Sequence, residues 1–82
     1  MRVEGKKNVV DALQDGKALW VKIIVNDGTY ALVETYARIA DEFSHHYHYS
    51  GRILRGETVN VDKLVDRINA VGETKSIIAL GR

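Results

Sequence analysis

The chain has 82 residues, a formal net charge of +1 and no cysteine. This length accommodates one domain with a small core, the near-neutral charge excludes a general attraction to nucleic acid or membrane, and the lack of thiols excludes disulfides and thiolate metal sites. The longest apolar stretch, residues 18–25, is too short to cross a bilayer, and charged residues rather than a signal-peptide core follow Met1. We therefore expect one domain spanning residues 1–82, located in the cytoplasm and without membrane contact.

A short helix followed by a buried strand opens the chain. The apolar residues of this helix recur at helical spacing on one face, namely Val9, Val10 and Leu13. Gly16 predicts the end of the helix, because glycine takes the left-handed cap conformation without strain. Residues 19–25 are nearly all apolar, which is typical of a strand that is covered on both faces in an α/β sheet.

A second helix is predicted next. Residues 26–29 predict a turn, in which either Asp27 or Thr29 caps the helix that follows. Residues 30–44 carry one apolar stripe at helical spacing, formed by Leu32, Tyr36, Ile39, Ala40 and Phe43. The charged residues between them then face solvent, so this segment is interpreted as an amphipathic helix.

An aromatic strand and a basic segment follow. Histidine and tyrosine alternate in residues 45–50, which predicts a strand with His46 and His48 on one face and two tyrosines on the other. Two glycines enclose residues 52–55, Arg-Ile-Leu-Arg. This segment is interpreted either as a basic loop or as part of a hairpin that returns through residues 57–61.

A third helix and a short strand complete the pattern. Asn60 or Asp62 can cap the helix, and Gly72 ends it. Its buried face consists of Val61, Leu64, Val65, Ile68 and Val71. Residues 76–80 predict a second short buried strand. The alternation of helices and strands predicts an α/β domain with a three- or four-stranded mixed sheet packed with three helices.

The polar residues give no sign of catalysis or metal binding. His46 and His48 have a spacing compatible with two metal ligands, but a site needs three or four, and no cysteine is available. The carboxylates form no clear acid–base pair. We therefore expect no metal, no cofactor and no enzymatic activity.

Several positions of the first half carry a resemblance to a known superfamily. They are Gly5, Lys7, Val9, Ala12, Leu13, Gly16, Lys17, Ala18, Asn26, Asp27 and residues 23–25, 33–37 and 47–51. There the chain resembles the kink-turn-binding ribosomal proteins, whose fold also forms the substrate-binding domain of SPOUT-class RNA methyltransferases. That family binds RNA at the start of its first helix, which implies RNA contacts at Gly5, Lys6, Lys7 and Asn8.

The basic segment extends this expected RNA-binding surface. Arg52 and Arg55 form one surface with Lys6 and Lys7 if their segment lies near the start of the first helix. Lysine and arginine neutralise phosphates, and the free amides of a helix N-terminus bind anions. We therefore expect a small non-enzymatic RNA-binding protein that contacts structured RNA.

Two alternative functions stay open. Residues 64–80 resemble the end of ferredoxin-like ligand-binding modules of the ACT type, which implies a βαββαβ fold with an extra N-terminal helix. In that case the chain is a regulatory module that binds a small ligand as a dimer. The third alternative is a structural self-assembling protein whose histidine–tyrosine strand is an exposed edge. Because the core is small and this strand is aromatic, a homodimer is expected.

Overall fold

The computed structural model describes residues 1–26 and 31–81. In this part of the chain there are six strands and two helices. In chain order they are β1 (Arg2–Glu4), α1 (Lys6–Gln14), β2 (Ala18–Asn26), β3 (Ala31–Ile39), β4 (Glu42–Tyr49), β5 (Arg52–Arg55), α2 (Val61–Ala70) and β6 (Thr74–Gly81). Of the turn predicted at residues 26–29, only Asn26 is described, and its proposed helix caps, Asp27 and Thr29, lie outside the described residues.

All six strands belong to one antiparallel sheet with the order β1-β6-β2-β3-β4-β5. Strands β2 to β5 follow one another as a meander, and α2 then returns the chain to the other side of the sheet. As a result β6 lies between β1 and β2, with Arg2 opposite Leu80 on one side and Val21 opposite Ala79 on the other.

The core lies between the two helices and one face of the sheet, which we call the helix face. Each strand places alternate residues on that face. The largest fully buried side chains of the core come from both the sheet and the helices: Phe43, Ile23, Leu64, Ile68, Val9 and Val21. No described helix covers the opposite face, which we call the open face. This face carries Trp20, Lys22 and Ile24 of β2 and the residues that pair with them.

The predicted fold class is wrong. The sheet has six antiparallel strands instead of three or four mixed ones, and there are two helices instead of three among the described residues. The error lies in residues 30–44, whose described part forms β3 and the start of β4 instead of a helix. The apolar residues of this segment fit a helical spacing by coincidence. A strand reading of this segment places Glu34 on the inward face together with Tyr36. A buried carboxylate is rare, so the sequence pattern does not favour that reading.

The ferredoxin-like alternative is wrong for the same reason and for a second one. Residues 57–61 do not form a central strand, since Val59 makes only an isolated bridge to Phe43 of β4. The return strand that was considered for the hairpin is likewise absent from the described residues. The partner of β4 is the basic segment itself, which is strand β5.

Several local predictions are confirmed. Helix α1 is followed by Gly16 with a φ of 71°, β2 covers the apolar run, and α2 is capped by Asn60, whose side chain accepts a hydrogen bond from the Lys63 amide at 2.9 Å. His46 and His48 lie on the face opposite to Tyr47 and Tyr49, as their alternation in β4 predicts.

Candidate nucleic-acid interface

The most distinctive surface feature is the hairpin formed by β4 and β5, at one edge of the sheet. Its two-residue turn consists of Ser50 and Gly51, which have φ angles of 51° and 76°. Positive φ at both positions is the signature of a type I′ turn, whose twist matches that of the two strands. Tyr49 therefore lies opposite Arg52, and the hairpin ends in a compact tip.

The two faces of this hairpin have different side chains. On the helix face, Tyr47 is opposite Leu54 and Tyr49 is opposite Arg52. On the open face, His46 is opposite Arg55 and His48 is opposite Ile53. All four residues of β5 are exposed, Ile53 most strongly among the apolar ones at 69%.

The charge of the hairpin differs from that of the whole molecule. Residues 44–56 contain two arginines, three histidines and no aspartate or glutamate, although the chain has eleven acidic residues in all. This edge of a nearly neutral protein thus combines two arginines with histidine and tyrosine rings and lacks acidic residues. We call residues 44–56 the basic hairpin.

A buried polar cluster supports the base of this hairpin. Glu34 of β3 is 4% exposed and lies on the helix face. The Arg67 guanidinium of α2 binds both of its carboxylate oxygens, with Nε donating to Oε1 at 3.2 Å and Nη2 donating to Oε2 at 2.6 Å. The Tyr36 hydroxyl donates to Oε1 at 3.1 Å. This bidentate ion pair with an added hydroxyl compensates the burial of the carboxylate.

His45 is the fourth member of the cluster and belongs to the hairpin. Its ring is stacked on Tyr36, with the ring centroids 4.2 Å apart and the planes 3° from parallel. Its Nε2 lies 3.2 Å from Glu34 Oε1, but this buried nitrogen makes no hydrogen bond to any described residue. The main contact of His45 is therefore the packing of its neutral ring against Tyr36, and not an ion pair with Glu34.

The electrostatics of the cluster follow from these contacts. Burial, and then the neighbouring Glu34 charge, raises the pKa of Tyr36, so its hydroxyl stays protonated. The hydrogen bond to Glu34 raises the pKa of Arg67 further. Burial lowers the pKa of His45 despite the attraction of Glu34, and the Arg67 and His46 charges act in the same direction as burial. The cluster thus joins the ion pair of Glu34 and Arg67 to a protonated tyrosine and a neutral imidazole.

Gly56, the first residue after β5, packs against the His45 ring of this cluster. Its amide donates to the His45 carbonyl at 2.8 Å, and a Cβ placed there would lie 2.5 Å from His45 Nδ1. Only glycine lets the backbone approach the imidazole this closely. The exit of the hairpin is thereby fixed against His45, in the first half of β4.

The start of α1, where RNA contacts were also predicted, lies at the other edge of the sheet. The Gly5 amide donates to the Ile77 carbonyl at 2.9 Å, the Lys6 ammonium donates to the Val71 carbonyl, and the Asn8 side-chain amide donates to the Glu4 carbonyl at 3.0 Å. Three of the four predicted residues are therefore engaged in internal hydrogen bonds. Lys7 is exposed.

The predicted site residues fall into two groups that the structure does not bring together. Arg52 and Arg55 are on β5, whereas Gly5 to Asn8 follow β1, and four strands separate β5 from β1. Five strand spacings correspond to about 24 Å. A single phosphate-binding surface composed of both groups is thus not formed, and each group has to be considered separately.

The described histidines and acids do not assemble a metal site. No group of three potential ligands is found among the described residues. His46 Nε2 lies 3.1 Å from the Ser44 hydroxyl, on the same strand.

The polar cluster was missed by the sequence analysis. The sequence pattern places Glu34 on a solvent-facing side and Tyr36 in an apolar stripe, and it indicates no role for Arg67. The only available signal was the content of β-branched and aromatic residues around Glu34, which favours a strand.

Comparisons with known proteins bring no relative to bear on this site. The scan against protein-family models, the search of curated proteins and the search of solved structures each gave no match. Neither of the two helices in residues 1–26 and 31–81 has the length and apolar character needed to cross a membrane.

Proposed function

We propose that the protein is a small non-enzymatic RNA-binding protein and that the basic hairpin is its main RNA contact. The single observation that carries this proposal is the composition and position of the hairpin. Its cations and aromatic rings occur without any acid, in an exposed ribbon at the edge of the sheet. Arginine neutralises phosphates, and tyrosine stacks on unpaired bases, so the hairpin offers both types of contact.

The arrangement of side chains favours one face of the hairpin. Tyr49 and Arg52 are directly opposite each other on the helix face, so a base stacked on the tyrosine has its phosphate within reach of the guanidinium. Arg55 lies on the other face and can contact a neighbouring phosphate. Because the tyrosines need unpaired bases, the proposed ligand is a structured RNA with an exposed loop or bulge.

The start of α1 is retained as a second, separate contact. Lys7 is the exposed cation there, and the peptide amides at the helix start attract anions. Because this region is about 24 Å from β5, it can contribute only to an RNA large enough to reach around the sheet. We also propose that the protein acts as a homodimer, because its small core gains stability from a second copy.

The test is a salt series of RNA binding, measured by filter retention with kink-turn and tRNA-like RNAs. Each phosphate contact adds roughly one unit to the log–log slope, so replacing Arg52 and Arg55 together with alanine should lower the slope by up to about two. A matched control replaces two exposed lysines outside the hairpin, Lys63 and Lys75, and changes the net charge equally. The variant Lys7→Ala, which leaves the contact of Lys6 with the Val71 carbonyl intact, measures the separate contribution of α1.

The results separate three cases. A lower slope for the hairpin variant, with an unchanged slope for the Lys63 and Lys75 control, supports the proposal. Equal losses in both would indicate a non-specific attraction to charge. No binding of either RNA at about 50 mM salt would rule out RNA binding at this hairpin.

A further inference from the structure

The open face of the sheet is more apolar than a solvent-facing sheet requires. Antiparallel sheets with one free face normally place polar residues there. Here the outward positions of the three adjacent strands β6, β2 and β3 are mostly apolar. They include Leu80, Ile78, Trp20, Ile24, Val33 and Ala37. Leu80 is 43% exposed.

Strand β2 shows the same feature in its sequence. A nearly continuous apolar run is typical of a strand covered on both faces. Within the described residues, β2 is covered only on the helix face, where Val21 and Ile23 are fully buried. Its other apolar residues, Trp20 and Ile24, are only partly buried. The composition of β2 therefore fits an additional layer on the open face.

The size of this face matches an interface between two proteins. The molecule extends 35 × 23 × 21 Å along its principal axes, so its broadest side measures on the order of 800 Å². A stable interface buries roughly 800 Å² on each partner. An open face of this size can therefore sustain an interface without help from the helices.

We propose that a second copy of this chain covers the open face, so that the two sheets pack face to face. Sheets packed in this way keep their strands within about 30° of each other, and a dimer of identical chains is normally related by a two-fold axis. The axis we propose runs parallel to the strands, between β2 and β3. Each sheet then covers the other completely, with β2 over β3 and β1 over β5 of the second copy.

Charge complementarity supports this axis. One row of paired residues crosses all six strands of the open face, in the order Glu4, Ile78, Lys22, Thr35, His46 and Arg55. The proposed axis passes through the middle of this row, so its two ends meet in the dimer. Glu4 of each copy then lies over Arg55 of the other, and Lys22 lies over Thr35.

The other simple arrangement is electrostatically unfavourable. An axis perpendicular to the strands and along this row would place each residue of the row over the same residue of the second copy. Lys22 would then face Lys22, and Arg55 would face Arg55, at the centre and rim of an interface where like charges are costly. The ion pair of Glu4 with Arg2, at 2.7 Å, does not oppose the proposed contact, because both side chains are over 60% exposed and such pairs contribute little.

This inference does not depend on RNA binding. In the proposed dimer Tyr47, Tyr49 and Arg52 remain on the helix face of the hairpin, outside the interface. Only the open-face side of the hairpin, with Arg55, lies at the rim. The two hairpins of a dimer would be found at opposite edges of the double sheet.

The experiment measures molar mass by sedimentation equilibrium, without RNA, from about 5 µM to about 1 mM. Trp20 is the only tryptophan of the chain, so its emission and its quenching by acrylamide report on the open face. We expect a dimer whose formation shifts the emission to shorter wavelength and protects Trp20. Ile24→Lys should raise the dissociation constant more than about tenfold, since it replaces an apolar contact by a second ammonium group next to Lys22, and the two like charges would be desolvated together. Leu54→Lys, on the helix face of β5, should leave it unchanged.

Charge reversal tests the axis itself. Glu4→Arg and Arg55→Glu should each weaken the dimer, and the two together should restore it, because the pair is only exchanged. A wild-type protein that is still monomeric at about 1 mM would overturn the proposal. So would a dimer of undiminished affinity in Ile24→Lys, or a doubly reversed variant that dimerises more weakly than either single variant. Protection of Trp20 by RNA, but not by protein concentration, would assign the face to RNA instead. Circular dichroism of each variant establishes that it is folded.

Discussion

The carboxylate of Glu34, on a strand near the middle of the sheet, is bound on both oxygens by the guanidinium of Arg67, which follows it by 33 residues in the chain. The Glu34 side chain is 5% exposed and that of Arg67 is 35% exposed. This contact joins α2 to the sheet at the base of the basic hairpin. It is the one strong electrostatic link between the helical layer and β3 in the part of the chain that the structure describes.

Removing the arginine should be costly. In Arg67→Ala the Glu34 carboxylate stays buried without its cation, which should lower the free energy of unfolding by about 2–4 kcal/mol. Urea denaturation followed by circular dichroism measures this change. The double variant Glu34→Leu/Arg67→Met should recover most of the loss, because a buried ion pair is often replaceable by apolar residues of similar volume. A double variant as unstable as Arg67→Ala would mean that the pair has a role beyond compensating a buried charge.

The stability should fall at mildly acidic pH because of His45. Burial lowers the pKa of this imidazole in the folded protein, so the unfolded chain takes up the proton first. The free energy of unfolding is unaffected by His45 while both states are neutral. It decreases as the pH drops below about 6.5, the ordinary value of imidazole.

Two phenylalanine variants isolate this contribution. His45→Phe keeps a ring against Tyr36 and removes the titrating group, so its stability should change less than that of the wild type between pH 7.5 and pH 5.5. His48→Phe, at an exposed position of the same strand, should retain the wild-type pH dependence. Parallel pH profiles for wild type and His45→Phe would show that another group causes the decrease. The measurement is a urea denaturation series across this pH range.

Gly56 and Gly72 form a matched pair for a test of close packing. An added methyl group at Gly56 would lie 2.5 Å from the His45 ring, whereas at Gly72 it would meet no atom within 4 Å. Gly56→Ala should therefore lower the free energy of unfolding by about 1–3 kcal/mol, since the ring or the backbone has to move. Gly72→Ala should change it by less than about 0.5 kcal/mol. Equal effects in differential scanning calorimetry would contradict the packing described for His45.

The cap of α2 makes a smaller and separate contribution. The Asn60 side chain accepts a hydrogen bond from the Lys63 amide at 2.9 Å. Asn60→Ala should lower the free energy of unfolding by about 1 kcal/mol, and Asn60→Asp should retain most of the cap. Thermal denaturation of the three proteins gives the comparison. If the alanine and aspartate variants were equally destabilised, the hydrogen bond would not be the source of the loss.

Features determined by neighbouring residues could be predicted from the sequence. The histidine–tyrosine alternation gave the faces of β4 correctly because alternation is a local property of strands. The cap of α2 was narrowed to Asn60 or Asp62 for the same reason, and the structure shows that it is Asn60. Of the predicted site residues, Arg52 and Arg55 lie in an exposed strand, and their contact with RNA stays a prediction.

Features that depend on distant partners could not be predicted. Strand β3 was assigned to a helix because Glu34 interrupts its inward apolar positions. The residue that makes this burial acceptable, Arg67, lies in another element. The position of β6 in the sheet depends on the path of α2, which the sequence pattern does not specify. The separation of Gly5 to Asn8 from the arginines of β5 follows from that same strand order.

The position of β6 also determines when this protein can fold during its synthesis. Strand β1 hydrogen-bonds only to β6 among the described strands, with Arg2 opposite Leu80, and β2 obtains its second neighbour from the same strand. A nascent chain that lacks β6 therefore carries β1 without a partner and β2 with one open side. Until the ribosome has released these residues, the apolar edge of β2 is available to other chains. The native sheet is thus completed only after translation of β6.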